Sequence, residues 1–272
     1  MQSGIANFDW KKNGKNLFYL LVLVIVFFNS DYYLDMRYGT SDEVFQQALR
    51  LDSEGKYTEA LEKYEYCVER NSLSARNNIG VLYMSGKLGK VDESKALEWF
   101  GQCTDQDLPL CDYNFGRILA LGSKPNQDVH RGISFIEKAA KQGQTAAYWD
   151  LYQIYTLGID EVIDIDEDKA MEYLGSAASR QHTDAMAELG NFLMGQEIKE
   201  GDQRAIDEYN RGKRMLSDAL KRKNNRARFY TALRLMREMK SAEDMGVGLG
   251  LLEQAANEGF HPAIDLMKKF GK

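Results

Sequence analysis

The 272-residue sequence contains few of the residues that break helices, transfer protons or staple small domains: 3 prolines, 3 histidines and 3 cysteines. Scarce proline permits long helices. Scarce histidine limits acid–base and metal chemistry near neutral pH, and three cysteines are too few for a disulfide scaffold. An excess of positive charge is also missing, since the net charge is −6, which argues against general affinity for nucleic acid.

An unbroken apolar run lies near the N-terminus, at residues 17–28, after Lys11, Lys12 and Lys15. At the helical rise this run covers about 18 Å, which is less than the roughly 30 Å of a hydrocarbon core. Its length fits the apolar region of a cleavable signal peptide, but the small residues of a cleavage site are missing. With the polar and aromatic residues that follow, we expect a transmembrane signal-anchor over 17–34. A cleaved signal peptide is the alternative.

The charges that flank this run predict its orientation. Three lysines precede it, whereas Asp31 and Asp35 follow it. By the positive-inside rule, residues 1–16 form a short cytoplasmic leader, and residues 35–272 lie on the other side of the membrane.

From residue 41 onward, apolar residues recur at helical spacing, and small residues recur in a fixed register. One series consists of Ala75, Cys111, Ala147, Ala185, Ala227 and Ala263. Eight residues before each of these stand Cys67, Cys103, Ala139, Ala177, Ala219 and Ala255, and seven earlier stand Ala60, Ala96, Gly132, Ala170, Gly212 and Gly248. Paired helices approach closely only where side chains are small, so these series predict helix crossings. Each hairpin alone would expose an apolar face, and the hairpins must therefore stack into a solenoid.

Three stretches carry a resemblance to a known family: ARNNIGVLY at 75–83, DESKALEWF at 92–100 and EKAAKQG at 137–143. They resemble the Sel-one-like repeats, which are relatives of the tetratricopeptide repeat. The resemblance implies an all-α, right-handed α/α solenoid that follows the N-terminal transmembrane helix. It divides residues 35–272 into a tetratricopeptide-like unit at 41–74, Sel-one-like repeats at 75–263 and a C-terminal cap at 264–272.

The fourth repeat departs from the family pattern. Its copies of the first small residue are 42 residues apart rather than 36, and Gly212 and Leu216 replace the usual alanine and aromatic residue. We expect the extra residues to lengthen the turn between its two helices.

Cys103 and Cys111 occupy both small positions of one repeat junction. In some secreted members of the family such cysteines are bridged, so the resemblance implies a disulfide and an oxidising compartment. The alternative is that both cysteines serve as small hydrophobic residues. Cys67 is expected to be a buried free thiol.

Exposed residues of the first helices are expected to select a protein partner. Tyr83, Tyr113, Tyr148, Trp149 and Tyr152 are the candidate aromatic anchors, because aromatic residues dominate interface energies. A basic stretch over 211–228 supplies further candidates, of which we single out Arg214, Arg222 and Arg226. This stretch is either a set of solvated helix ends or a docking patch for an acidic partner.

Patterns for other chemistry are weak. The acidic segment 164–168 has the start of a calcium loop, but Lys169 occupies its glycine position and Gly175 its bidentate-acid position. The histidines form no ligand pair, and there is no nucleophile motif. The sequence therefore predicts no catalytic residue, metal site, cofactor, small-molecule substrate or nucleic-acid partner.

Two functions remain. Members of the Sel-one-like family serve as immunity proteins for phospholipase effectors of type VI secretion. The resemblance therefore implies an immunity protein, anchored in the bacterial inner membrane as a single-pass protein with its solenoid in the periplasm. The alternative is an envelope scaffold or regulatory adaptor that recruits periplasmic partners.

Overall fold

The computed structural model describes residues 39–238 and 241–271. Within these ranges the chain is helical, and its only β-type pairing is an isolated bridge between Ile159 and Ile163. The α-helices are α1 (Ser41–Ser53), α2 (Tyr57–Val68), α3 (Leu73–Met84), α4 (Glu93–Gly101), α5 (Pro109–Leu121), α6 (Val129–Lys141), α7 (Thr145–Leu157), α8 (Glu167–Ser179), α9 (Thr183–Gly195), α10 (Gln203–Lys221), α11 (Asn225–Glu238), α12 (Ala242–Asn257) and α13 (His261–Lys269). The expected all-α class is confirmed.

None of the helices in the described ranges is long and apolar enough to cross a membrane. The leader and the signal-anchor expected at 1–16 and 17–34 lie outside the described residues, so both remain predictions.

The chain divides into two compact units, one ending at Cys111 and one running from Asp112 to the C-terminus. In the first unit, α1 begins with a capping box in which Thr40 and Glu43 each accept a hydrogen bond from the other's backbone N–H. The core of this unit contains Val44, Tyr64 and Ile79, all fully buried. In the second unit, successive helices pack as antiparallel hairpins around three clusters of buried apolar side chains.

The small residues lie at the helix crossings, as their register predicted. All eighteen members of the three series are buried. Two crossings bring backbones into contact. A Cβ atom on Gly116 would lie 2.7 Å from the carbonyl oxygen of Gly132, and a Cβ atom on Gly212 would lie 2.7 Å from that of Gly190. Only glycine fits such crossings without displacing a helix.

The second helix of each of four repeats begins at an aspartate. The carboxylates of Asp92, Asp128, Asp166 and Asp202 each accept a hydrogen bond from the backbone N–H three residues later, at 3.0 to 3.3 Å. These aspartates are N-caps, which satisfy donors that the first helical turn leaves unpaired. Asp166 therefore has a structural role, and the acidic segment 164–168 is the start of a helix.

The expected long turn in the fourth repeat is wrong, because the additional residues are helical. Helix α10 has 19 residues and begins nine residues before Gly212, whereas α8 has 13 and begins three residues before Ala170. The segment that precedes α10, at 196–202, is shorter than the segment that precedes α8, at 158–166. The stretch 203–208 contains no glycine or proline and follows the Asp202 cap, so it extends the helix.

Cys103 and Cys111 are disulfide-bonded in the structure, with their Cα atoms 5.7 Å apart. The bridge joins the segment after α4 to the first turn of α5. Cys67 is free and buried, and burial raises the pKa of its thiol. A buried thiol with a raised pKa is a poor nucleophile.

Candidate protein-interaction surface

The first helices of three successive hairpins in the second unit bring aromatic and charged side chains together. We call this set the aromatic–arginine cluster; its members are Trp149 and Tyr152 of α7, His182 and Glu188 of α9 and its cap, and Arg226 and Tyr230 of α11. Sequence analysis had singled out Trp149, Tyr152 and Arg226 on separate grounds, and the fold makes them neighbours.

Trp149 is the centre of the cluster. Its ring stacks on the imidazole of His182, with centroids 5.2 Å apart and planes 18° apart, and it contacts Tyr152 at 5.1 Å. The guanidinium carbon of Arg226 lies 5.1 Å from the centre of the Trp149 ring. This distance is in the range of cation–π attraction, which favours tryptophan over other rings.

Arg226 is held in place by carboxylates of α9. Its Nη1 atom donates to Glu188 Oε2 at 2.6 Å, and Asp184 lies 3.5 Å from its Nε atom. The Tyr230 hydroxyl donates to the same Glu188 oxygen at 2.8 Å. Burial raises the pKa of Tyr230 to about 12, and the charge of Glu188 adds to this, so the phenol remains a donor near neutral pH. The arginine is therefore oriented before any partner arrives.

His182 connects the cluster to the start of α9. Its Nδ1 atom accepts a hydrogen bond from the backbone N–H of Ala185 at 3.4 Å, so the imidazole is the N-cap of the helix. Burial lowers the pKa of His182, and nearby Arg226 acts in the same direction, whereas Asp184 and Asp150 oppose it. The imidazole is therefore neutral at pH 7.

A second polar contact lies beside the cluster and corrects one expectation. Tyr113 was one of the candidate anchors, some of which were expected to be core; it is only 8% exposed, and its hydroxyl donates to Asp150 Oδ2 at 2.9 Å. Arg117 Nε lies 2.8 Å from the same oxygen. Burial raises the pKa of Asp150, and Arg117 partly offsets this. Tyr113 thus positions Asp150 and offers little surface of its own.

The remaining aromatic candidates are partly buried. Tyr148 packs against both central cores of the second unit, and the guanidinium of Arg180 covers its ring at 4.3 Å. Tyr83 packs on the core of the first unit, with Lys95 5.0 Å from its ring centre. Both rings are therefore partly engaged in contacts within the chain.

Several residues of the predicted basic stretch have partners within the chain. Arg222 donates to the Gln181 side chain at 2.7 Å, and Arg228 is buried against Glu258 at 2.7 Å. Arg211 and Lys221 pair with acidic residues one helical turn earlier. Arg214 is exposed. Among the described residues, carboxylates thus pair with Arg211, Lys221 and Arg228, whereas Arg214 and Arg222 remain candidates for contact with an acidic partner.

Sequence reasoning missed Glu188 and Tyr230, although a signal for them exists. Asp150, Glu188 and Tyr230 each stand three residues after a buried small residue of the repeat, at Ala147, Ala185 and Ala227. Residues at one register position of successive first helices project from the same face of the stack. Polar residues at that position therefore indicate a shared surface.

The described residues contain no group of three or more histidine, cysteine, aspartate or glutamate side chains that could hold a metal ion. Stacked hairpins that present an oriented arginine on an aromatic platform define the class of helical-repeat interaction scaffold.

Comparison with known proteins specifies the repeat. Residues 73–107, 110–144 and 153–182 match the Sel1 repeat model, and the chain thus carries Sel1 repeats. The sequence has no significant match among curated proteins.

Two solved structures with TM-scores above 0.5 share the fold, and a third is similar at a lower score. A Sel1 repeat protein from Oxalobacter formigenes is 24% identical, with a TM-score of 0.62, over 80% of this chain and 86% of that one. The protective antigen c5321 of uropathogenic Escherichia coli strains, described as an SLR fold, is 18% identical with a TM-score of 0.54. That match covers 76% of this chain and 50% of the antigen. The immunity protein Pa5087 from Pseudomonas aeruginosa is 20% identical over 80% of this chain and 81% of its own, with a TM-score of 0.47.

Proposed function

We propose that this protein binds and neutralises a secreted toxic effector, of the phospholipase-like kind delivered by type VI secretion, through the aromatic–arginine cluster. The observation that carries the proposal is the fixed position of Arg226 over Trp149, held by Glu188 and Tyr230. Tryptophan, tyrosine and arginine are the residues that contribute most to protein interfaces.

The ordering of the cluster supports tight rather than transient binding. Immobilising a long side chain such as arginine on association costs about 0.5–1.5 kcal/mol. That cost is reduced here, because Arg226 is already bonded to Glu188 in the free protein. Neutralising a toxin requires such tight binding. The choice of an effector as partner follows the family resemblance of the sequence.

The proposal includes a location. We place the protein in the bacterial inner membrane through residues 17–34, with the Sel1 repeats in the periplasm. The Cys103–Cys111 disulfide is consistent with this, because disulfides persist in oxidising compartments. A phosphatase or fluorescent reporter fused after Lys272 tests the topology. If the fused reporter is active only in the cytoplasm, the proposed orientation is inverted.

The competing function is an envelope scaffold, and one observation favours it. The C-terminal end of α7 and the segment that follows it expose further apolar side chains, with Leu157 75% and Ile165 62% exposed. Exposed apolar side chains of this size can mark a contact site. A protein with two separate contact sites can bridge two partners, as an adaptor does.

Affinity purification of the full-length protein in detergent, with mass spectrometry of the proteins that accompany it, separates the two functions. One stoichiometric hydrolase or toxin supports neutralisation, and co-expression should then rescue cells from that toxin. Several substoichiometric envelope proteins would instead establish the adaptor.

Variants connect the result to the cluster. Trp149→Ala should weaken binding of the partner at least about tenfold, as expected for a central interface anchor. Phe270→Ala is the matched control, because Phe270 is an exposed aromatic residue of the same unit outside the cluster. Equal binding by both variants would show that the cluster does not lie in the interface.

A further inference from the structure

A groove next to the aromatic–arginine cluster is lined by two arginines together with apolar side chains. It lies between the first helices α9 and α11 and has a volume of about 460 Å³. Its lining residues are Asn191, Gly195, Tyr230, Leu233, Arg234 and Arg237. Leu233 is partly exposed within it, so an apolar side chain from outside has a surface to contact.

The two arginines of the groove differ from those of the cluster. Neither Arg234 nor Arg237 is paired with a carboxylate in the part of the chain that the structure describes. A guanidinium carries five N–H donors. The hydrogen bond found for Arg234 runs from Nη2 to the backbone oxygen of Asn191 at 3.4 Å, and its Nε atom is buried without an acceptor among the described residues. Most of the donors of this arginine thus have no acceptor among the described residues.

Arg226, on the same helix, differs from Arg234 and Arg237 because it has carboxylate partners. About two helical turns before Arg234 and three before Arg237 on α11, Arg226 is paired with Glu188 and Asp184 of α9. Next to Arg234 and Arg237, α9 has no carboxylate. It contributes the backbone carbonyl of Asn191, which accepts from Arg234, and Gly195, which has no side chain. The missing negative charge must come from outside these residues if the guanidinium groups are to be paired, and a carboxylate is the acceptor whose planar geometry fits them best.

We infer that the groove binds an acidic peptide segment of the protein partner, in which a carboxylate lies next to an apolar side chain. The carboxylate pairs with Arg234 and Arg237, and the apolar side chain packs on Leu233 and Tyr230 in the space beside Gly195. The inference rests on the proposed function, because it names the chemistry of the partner segment that lies next to the cluster.

The groove can be tested first without any partner. A Cβ atom on Gly195 would meet nothing within 4 Å, and its backbone is not in the left-handed region, so larger side chains fit there. Gly195→Glu places a carboxylate in the groove, and Gly195→Gln is its neutral isostere. We expect the glutamate variant to melt about 2 °C or more above the glutamine variant. When Arg234 and Arg237 are both changed to alanine, the difference should vanish or reverse, because the helix dipole disfavours a carboxylate at the C-terminal end of α9. Equal melting temperatures in the unchanged background would contradict the inference.

Peptide binding is the second test. A phage-displayed library of random twelve-residue peptides is selected on the full chain in detergent. The enriched peptides should contain aspartate or glutamate beside a large apolar residue, and Arg237→Ala should weaken their binding about tenfold or more. Arg204→Ala is the control, because Arg204 is an exposed arginine of the same unit outside the groove and outside the basic stretch. Neutral or basic peptides, no enrichment, or equal binding by Arg237→Ala would overturn the inference.

Failure of this inference and failure of the proposed function give different results. If the partner is recovered and depends on Trp149 but not on Arg237, the toxin-neutralising function stands and the groove is not used. If peptides select as expected but no effector is recovered, the groove binds acidic segments and the proposed function is wrong.

Discussion

The crossings of α7 with α8 and of α9 with α10 occupy equivalent places in successive repeats but are filled differently. Five residues after its buried alanine, α9 has Gly190, whose Cβ atom would lie 2.8 Å from the carbonyl oxygen of Gly212. At the same register α7 has Tyr152, which contacts Trp149. The crossing of α9 with α10 is closed by backbone contact, whereas α7 carries at the equivalent position a ring that belongs to the aromatic–arginine cluster. The same register position is therefore used for close helix packing in one hairpin and for the aromatic surface in the preceding one.

Gly212→Ala breaks the closed crossing and should have the largest effect. The added Cβ atom would lie 2.7 Å from the backbone oxygen of Gly190, which cannot rotate away. We expect a loss of about 3 kcal/mol in the free energy of unfolding, the upper end for overpacked cores. Urea denaturation of the two proteins measures it.

The control for this variant is Gly195→Ala on the neighbouring helix. Its Cβ atom meets nothing within 4 Å, so the greater helix propensity of alanine should leave stability unchanged or slightly higher. If Gly212→Ala is as stable as Gly195→Ala, the helices are not in backbone contact.

In the first unit, the Cys103–Cys111 disulfide closes one repeat junction covalently. Replacing both Cys103 and Cys111 with alanine keeps both positions small but removes the bridge. For a loop this short the chain-entropy model gives a loss of about 2–3 kcal/mol. Reducing agent should lower the melting temperature of the wild-type protein and leave that of the double variant unchanged. Both cysteines reacting with an alkylating agent in protein from its native compartment would show that the bridge does not form there.

Tyr152→Ala removes the ring that α7 carries at the position equivalent to Gly190 of α9. Since Tyr152 is only partly buried, we expect a loss of about 2 kcal/mol, below the 3–5 kcal/mol typical of fully buried aromatic residues. Partner binding should fall as well, because Trp149 loses a neighbouring ring. Tyr152→Phe keeps the ring and should retain both properties. A stable alanine variant with full affinity would show that the ring fills no gap.

The smallest effect is expected from pH, at the cap of α9. Burial lowers the pKa of His182 from its ordinary value of 6.5, so the unfolded chain binds the proton more readily. The contribution of His182 to the free energy of unfolding is therefore fully present above pH 6.5 and declines as the pH falls below that value. Protonated Nδ1 also cannot accept the hydrogen bond from Ala185.

His182→Asn supplies a cap that does not titrate, since asparagine is a favoured N-cap residue. The stability of the wild type relative to this variant should fall between pH 7.5 and pH 5, as measured by thermal denaturation. The other two histidines are present in both proteins and cancel. A constant difference across this range would show that His182 does not couple stability to pH.

The fold was easier to predict from the sequence than the site, for a physical reason. The crossings were predictable because a small residue is required wherever two helices touch, and Ala147, Ala185 and their equivalents recur with the repeat. The helical extension of α10 was missed because a longer spacing between repeats does not reveal whether the extra residues turn or continue a helix. The absence of glycine and proline in 203–208 was the relevant signal.

The pairing of Arg226 with Glu188 was not predicted, because the two residues are 38 positions apart and stand at different registers of their repeats. Individual aromatic and basic residues could be selected by type. Which of them share a surface depends on the offset between neighbouring helices. Tyr113 shows the same limit, since its burial depends on the position of Asp150 on the next first helix.

The aspartates that begin α4, α6, α8 and α10 have a consequence for how such chains evolve. Each hairpin carries its own helix start, so a duplicated gene segment of about one repeat would bring with it the residue that initiates its second helix. The number of hairpins can therefore change in steps of one repeat without a new solution to helix initiation. Lineages can lengthen or shorten the array while the surface residues diverge to follow a changing partner.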